Sequence, residues 1–509
     1  MSTAQDVANR VPITASIMLA TIMNSLDTTI ANVALPHIQG SVSASQEQIT
    51  WVLTSYIISA AIMTPLSGWL SGRIGRKRLF LISIAGFTVA SMLCGIADSL
   101  IEIVVYRLLQ GLFGASLIPL SQALLLDINP PEKHGQAMAI WGAGAILGPI
   151  LGPALGGYLT DNFSWRWVFY INLPVGILAF LGVWFFISHD GKPMAKKFDF
   201  LGFGALTIFI GSIQLLLDRG PTLDWFDARE IQIYALIAAI SFWIFLVHTL
   251  TATHPFFDRK LMADTNFMTA CIFGFFIGIL LFSTMALLPP MMQILMGYPV
   301  LTSGLVAMPR GIGSFCAMFV VGRLVGKVDT RLILLTGLSL SAIALWQMTH
   351  FDLSMNSMPF ITSGIIQGFG IGLIFVPLST LAFATIPPHL RAEGSSVYTL
   401  IRNLGAAVGI SMMQALIVSN TQAMHESLAA EVNPSDPVVA STLGHQVDLF
   451  STLGLASING EITRQSTMVA YVDDFRLMLI VTILCAPMLL LMRKPKQRAA
   501  DSAPHFEVD

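Results

Sequence analysis

Stretches of about twenty apolar residues, each long enough to cross a ~30 Å hydrocarbon core as a helix, recur along the whole 509-residue chain. Fourteen can be marked, near 13–36, 49–71, 79–97, 101–126, 135–160, 166–187, 198–217, 230–250, 267–296, 301–326, 330–349, 358–385, 392–418 and 475–493. In hydrocarbon every backbone N–H and C=O must find its partner inside the protein, which leaves a run of this length one outcome, a helix. An all-α polytopic membrane protein with fourteen transmembrane helices is therefore expected. Composition agrees, since 54% of residues are hydrophobic and 11% charged, against about a quarter charged in soluble domains.

Basic residues test the number of crossings. With a cytoplasmic N-terminus, nineteen of the 27 Lys and Arg residues fall in cytoplasmic segments, the densest group being Arg73, Arg76, Lys77 and Arg78. Arg166, Arg219, Arg229 and Arg464 fall on the other side, and Arg107, Arg310, Arg402 and Arg476 lie within or beside spans. This follows the positive-inside rule, and one missed helix would invert every later loop. Both termini are thus expected in the cytoplasm. A net charge of −2 gives no electrostatic case for nucleic acid. The cysteines, Cys94, Cys271, Cys316 and Cys485, sit far apart in apolar runs and read as small core residues, with no disulfide or metal framework. The first apolar run carries no small-residue cleavage motif, so no removable signal is expected.

Two segments recur. GWLSGRIGRKR (68–78) returns as GRLVGKVDTR (322–331), and QGLFGASLIPLSQALLLDINPPEKHG (110–135) returns as QGFGIGLIFVPLSTLAFATIPPHLRAEG (367–394). The chain therefore divides into a six-helix half at 1–190, an extra helix pair at 191–255, and a second six-helix half at 256–494, with a tail at 495–509. Two parallel halves around a cavity suit alternating access, with binding near the midplane.

These residues, with SLDTTIANVALP (25–36), YRLLQG (106–111), GAILGPILGPALGGYL (144–159), WRWVFYINLPVG (165–176) and LDRGPTLDWFDAREI (217–231), make the chain resemble the major facilitator superfamily. Within it the likeness is to the fourteen-helix drug:proton antiporters of the EmrB and QacA type. The resemblance implies a proton-coupled multidrug efflux antiporter of a bacterial inner membrane, driven by the proton gradient without a cofactor. Its partners would be hydrophobic drugs, protons and the lipid bilayer. It further implies a periplasmic membrane-fusion adaptor (EmrA-like) leading to an outer-membrane channel (TolC-like).

Asp27 interrupts the otherwise uncharged run 13–35. A carboxylate there costs roughly 2.5–3.5 kcal/mol on insertion scales, and such residues are functional by default. Asn24, Asp27, Thr28 and Ala31 share one small, polar helical face, expected to line the cavity. Asp27 reads as a proton site, the role the resemblance also implies, or as a structural ion pair that locks helices. Arg107, with Gln110 on the same face, is the expected counter-charge; the resemblance implies a part in proton transfer, and the alternative is bonding to nearby carbonyls. The second repeat has Gly364 at its position. Arg310 and Arg402 either contact an anionic substrate, line a hydrated cavity or pair locally. With Asn24, Thr28 and Gln110 they form the expected cavity set.

Gly144, Gly148, Gly152 and Gly156 recur every fourth residue, with Gly157, Pro149 and Pro153 interleaved. Such a stripe admits a close helix neighbour, and each proline permits a bend. Ordinary packing and a moving seam that seals the outer side both fit. In the loop of Gly68, Arg73, Gly75 and Arg76, Gly72 stands where the family usually has aspartate, so the family's charge relay does not transfer intact. Arg73 and Arg76 are expected to pair with acidic helix ends such as Asp127, topology alone being the alternative. The outer segment 419–474 is expected to hold short helices in HESLAAEV and QVDLFSTLGL, as an adaptor dock or a connector. No GxxxxGK[ST] loop and no HExxH motif is present, so neither an ATP-driven pump nor a hydrolase is expected. A dedicated exporter of one metabolite, siderophore or fatty acid is the alternative; a non-transporting membrane receptor would not need the two-half repeat, the membrane carboxylate and the glycine-proline seam together.

Overall fold

The computed structural model describes residues 10–44, 46–49, 51–187, 197–220, 223–325, 327–432 and 451–490. Fourteen long helices order them: α1 (Arg10–Ser41), α2 (Trp51–Ile74), α3 (Arg76–Ile96), α4 (Leu100–Ile128), α5 (His134–Asn162), α6 (Trp167–Phe186), α7 (Phe200–Arg219), α8 (Arg229–Thr251), α9 (Thr265–Leu295), α10 (Val300–Leu324), α11 (Thr330–Met348), α12 (Met358–Ala384), α13 (Arg391–Glu431) and α14 (Thr452–Cys485). Thirteen are long and apolar enough to cross a membrane. The exception is α14, where Asp473, Asp474 and Arg476 fall together beside its apolar stretch.

Local chemistry explains the breaks. Gly75 joins α2 to α3 at φ +91°, a conformation that only glycine adopts without strain. Ser99 and Glu102 form a reciprocal cap on α4, with Ser99 Oγ accepting from the Glu102 amide and the Glu102 carboxylate accepting from the Asp98 amide. In α6 the ladder is interrupted at Ile171, because Pro174 supplies no N–H to the preceding turn.

Among α1–α6, α1 packs on α5, α6 and α4; among α9–α14, α9 packs on α13 and α12 lies between α10 and α11. α7 rests on both α2 and α13, and α8 rests mainly on α7. The two sets of six meet through α5 with α10 and α2 with α13. Their hydrogen bonds and ion pairs cluster at one end, that of the basic α2–α3 loop. There Asp127 bonds both Arg76 and Arg391, Ser67 bonds Ser396 at 2.7 Å, and Ser395 donates to Gln122. A Cβ on Gly68 would stand 2.7 Å from Glu393 Cα.

Two expectations need correction. The segment 419–474 holds no separate short helices among its described residues: α13 continues unbroken to Glu431 and α14 begins at Thr452. At 1.5 Å per residue, their 41 and 34 residues span roughly 60 Å and 50 Å, well beyond a ~30 Å core. HESLAAEV completes α13, while Gln446–Phe450 lie outside the described residues. The second correction concerns Cys316, which is exposed on α10, unlike the buried Cys94, Cys271 and Cys485.

Candidate functional site

Asp27 lies at the centre of the α1–α6 set with no solvent exposure, and Arg107 is 1% exposed. Arg107 Nη1 donates to Asp27 Oδ2 at 2.7 Å and to Gln110 Oε1 at 2.8 Å. Gln110 Nε2 and Asn172 Nδ2 both donate to Asp27 Oδ1, at 2.8 and 2.9 Å. Three donors from α4 and α6 therefore hold one carboxylate on α1. Around them, Arg107 Nε donates to the Val52 carbonyl at 3.1 Å, so the ion pair and the carbonyl contact coexist. Its guanidinium also stacks over Tyr56, 4.6 Å from the ring centroid, and the Tyr56 hydroxyl donates to Asn24 Oδ1 at 2.9 Å. Asn172 reaches on to Ser91 Oγ at 2.9 Å.

A buried ion pair persists only when its remaining lone pairs and protons are also satisfied, because desolvating two charges opposes their attraction. This site meets that condition at both carboxylate oxygens. Removing either charge would leave the other uncompensated in a dry interior.

The expected cavity face of α1 divides. Asn24, Asp27 and Ala31 are buried, whereas Thr28 is exposed and donates to the Ser25 carbonyl. Gln110 joins the carboxylate cluster. Arg310 and Arg402 belong to the other set of helices, buried and without an ion pair among the described residues. Arg310 Nη2 donates to the Leu281 carbonyl at 3.2 Å, and Arg402 stacks over Phe375 at 5.6 Å.

The glycine stripe of α5 lies against α1, not against the other half. A Cβ at Gly144 would strike Met18, at Gly148 the Ser25–Leu26 backbone, and at Gly152 Thr29. Ser25 and Thr29 hydroxyls donate to the Ala145 and Gly148 carbonyls, at 2.5 and 3.1 Å. α5 runs continuously through Pro149 and Pro153. Gly156 accepts from Thr160 Oγ1, and a Cβ on Gly157 would meet nothing within 4 Å. A different face of α5 meets α10, through Gly135 with Val325, Ala139 with Gly322, Gly142 with Met318 and Ile150 with Gly311. In the basic loop, Arg76 takes Asp127 while Arg73 stacks over Trp69 at 5.2 Å; Gly72 is exposed, with open space around it.

Residues not singled out from sequence complete the site: Tyr56, Ser91 and Asn172. Asn172 stood inside WRWVFYINLPVG as a polar residue in an apolar run, a signal of the same kind as Asp27. Asp474 of α14 was also passed over; it is 1% exposed and neither carboxylate oxygen has a partner.

Comparison with known proteins matches this architecture. Residues 17–410 fit the family model of the Major Facilitator Superfamily. The chain is 34% identical over 468 residues to "Multidrug export protein EmrB" of Haemophilus influenzae, covering 91% of this chain and 92% of that protein. It is 34% identical over 489 residues to "Fatty acid resistance protein FarB" of Neisseria gonorrhoeae, covering 95% and 96%. The solved structure of the proton:xylose symporter XylE superposes with a TM-score of 0.60 at 13% identity, covering 94% of this chain and 96% of that one. The family motifs, the fourteen long helices and this extended likeness converge: the chain belongs to the Major Facilitator Superfamily, in its EmrB-like family.

Proposed function

We infer that this protein is a proton-coupled exporter of hydrophobic toxic compounds, working by alternating access in a bacterial inner membrane with both termini in the cytoplasm. The observation that carries the reading is the wholly buried Asp27 held by Arg107, Gln110 and Asn172. A proton placed on Asp27 removes its charge, weakens the Arg107 contact and frees α1 to shift against α4. The Gly148 contact passes such a shift from α1 to α5, whose other face bears on α10. On this reading the two six-helix halves rock as bodies around the cavity. Ties gathered at the basic end correspond to a conformer closed on that side.

Inward proton movement supplies roughly 2.3 kcal/mol per 100 mV for each charge, so no cofactor is required. The parts of α13 and α14 that outreach the membrane, joined by His425 and Asn459 at 3.0 Å, are the proposed dock for an EmrA-like adaptor leading to a TolC-like channel. The FarB-like relative favours a second reading, a dedicated exporter of fatty acids.

Asp27→Asn is expected to abolish drug-driven proton release in proteoliposomes while the protein still inserts and folds. Undiminished release by that variant would remove Asp27 from coupling. Resistance of pump-deficient cells to several unrelated compounds, or to one, separates the two readings.

A further inference from the structure

The second half repeats the first half's cage around different chemistry. Gln110 and Gly111 recur as Gln367 and Gly368. Gln110 donates to Asp27 on α1, and Gln367 donates to Thr284 on α9 at 3.2 Å. A Cβ on Gly111 would press on the Tyr56 carbonyl oxygen of α2, and one on Gly368 would strike the Arg310 carbonyl oxygen of α10. Contact for contact, Thr284 therefore stands for Asp27 and Arg310 for Tyr56. Gly364 stands for Arg107, and a Cβ there would lie in ordinary contact with Arg310, 3.5 Å from its Cβ, so the second half has no side chain in the place of the Arg107 guanidinium.

The outcome is a cage that keeps a cation and loses the acid. Arg310 is 8% exposed and, among the described residues, makes one side-chain hydrogen bond, to the carbonyl of Leu281, one turn from Thr284. Arg402 of α13 is 7% exposed, its carbonyl lies against Gly278 of α9, and its Nε has no hydrogen-bond partner among the described residues. Ser283 Oγ, beside Thr284, is also buried without a partner. Neither guanidinium forms an ion pair among the described residues. Asp474 pairs with neither, and Glu393 is engaged at the basic end by the Asp258 amide. Buried charge without a counter-charge is unfavourable, so the cage is suited to an anion brought from outside.

We propose that the second half holds the cargo site, and that Arg310 and Arg402 bind the head of a lipophilic carboxylate where the first half carries its own carboxylate. Phe375, 8% exposed beneath Arg402 and stacked at 5.7 Å on the buried Trp141, is the aromatic neighbour available to the apolar body. The assignment rests on the export reading and names its cargo class.

The test uses full-length protein in proteoliposomes under a proton gradient, with dodecanoate, its neutral isostere dodecanamide, and the cation ethidium as probes. Wild-type protein is expected to bind dodecanoate at least about tenfold more tightly than dodecanamide, as loss of a charge-assisted bond requires. Arg310→Gln should lower the ratio of dodecanoate to ethidium export by about tenfold, with Arg310→Lys recovering part of it. Thr284→Asp rebuilds an internal ion pair and should lower the same ratio without touching Arg310. Equal binding of dodecanoate and dodecanamide by wild-type protein overturns the proposal, as does an export ratio within about twofold of wild type in both variants. Ethidium export without dodecanoate binding defeats the anion site alone. No gradient-driven export of any probe defeats the export reading beneath it.

Discussion

Gln110 on α4 reaches a carboxylate on α1, whereas its counterpart Gln367 on α12 reaches a hydroxyl on α9. The backbone frame is shared: a glycine after each glutamine lets a neighbouring helix approach, and a glycine stripe seats α5 on α1 as Gly405 and Gly409 seat α13 on α9. What differs is the charge inside. The first cage holds a hydrogen-bonded ion pair, and the second holds guanidinium without an acid partner among the described residues. A duplicated scaffold can thus divide labour through a handful of side chains, because packing surfaces tolerate few changes while an interior polar position can exchange its charge without moving a helix.

Breaking the first cage should have the largest effect. Arg107→Gln is expected to eliminate export and to cost about 3–5 kcal/mol of stability, since Asp27 would be left charged and unpaired. The Asp27→Asn, Arg107→Gln double variant should regain most of that stability in thermal melts but no transport. Additive destabilisation in the double variant would show that the pair is not coupled.

The two glutamines sharpen the comparison at intermediate size. Gln110→Ala removes a charge-assisted bond worth about 1.5–3 kcal/mol, and export should fall by about tenfold or more. Gln367→Ala removes a neutral bond worth about 1 kcal/mol and should change drug-coupled proton release only a few-fold. Equal losses at both positions would erase the proposed division between a coupling half and a cargo half.

The smallest effect concerns the contact between the halves. Asp127→Asn removes the negative charge shared by Arg76 and Arg391, whose side chains are 17% and 12% exposed. Such partly solvated pairs contribute about 1 kcal/mol or less each. Labelling of Ser396→Cys, from the side of the basic α2–α3 loop and with the native cysteines replaced, should quicken only a few-fold. A large increase would mean that charge, and not the Gly68–Glu393 and Ser67–Ser396 fit, holds that end shut.

Much of the fold was legible because hydrocarbon leaves a chain few options: fourteen apolar runs, the basic loops and the repeated motifs each report a periodic or compositional rule. The runs misjudged most were those governed by something else. α13 and α14 overrun their apolar segments because the flanking polar residues continue a helix, and hydropathy does not see that continuity. Asp27 and Arg107 stood out as charges in apolar surroundings. Asn172 and Tyr56 did not, since amides and phenols are common enough in such runs to pass unnoticed.

By itself the sequence determined the all-helical membrane architecture, the likeness to one transporter family and the two charged residues of the first cage. Only the tertiary structure decided which partners those charges have, that the α5 glycines face α1, and that Thr284 and Arg310 inherit the places of Asp27 and Tyr56. The reason is physical: insertion depends on local hydrophobicity and length, which a single segment carries. A site depends on the relative rotation of several helices, and that is set only when their side chains interlock.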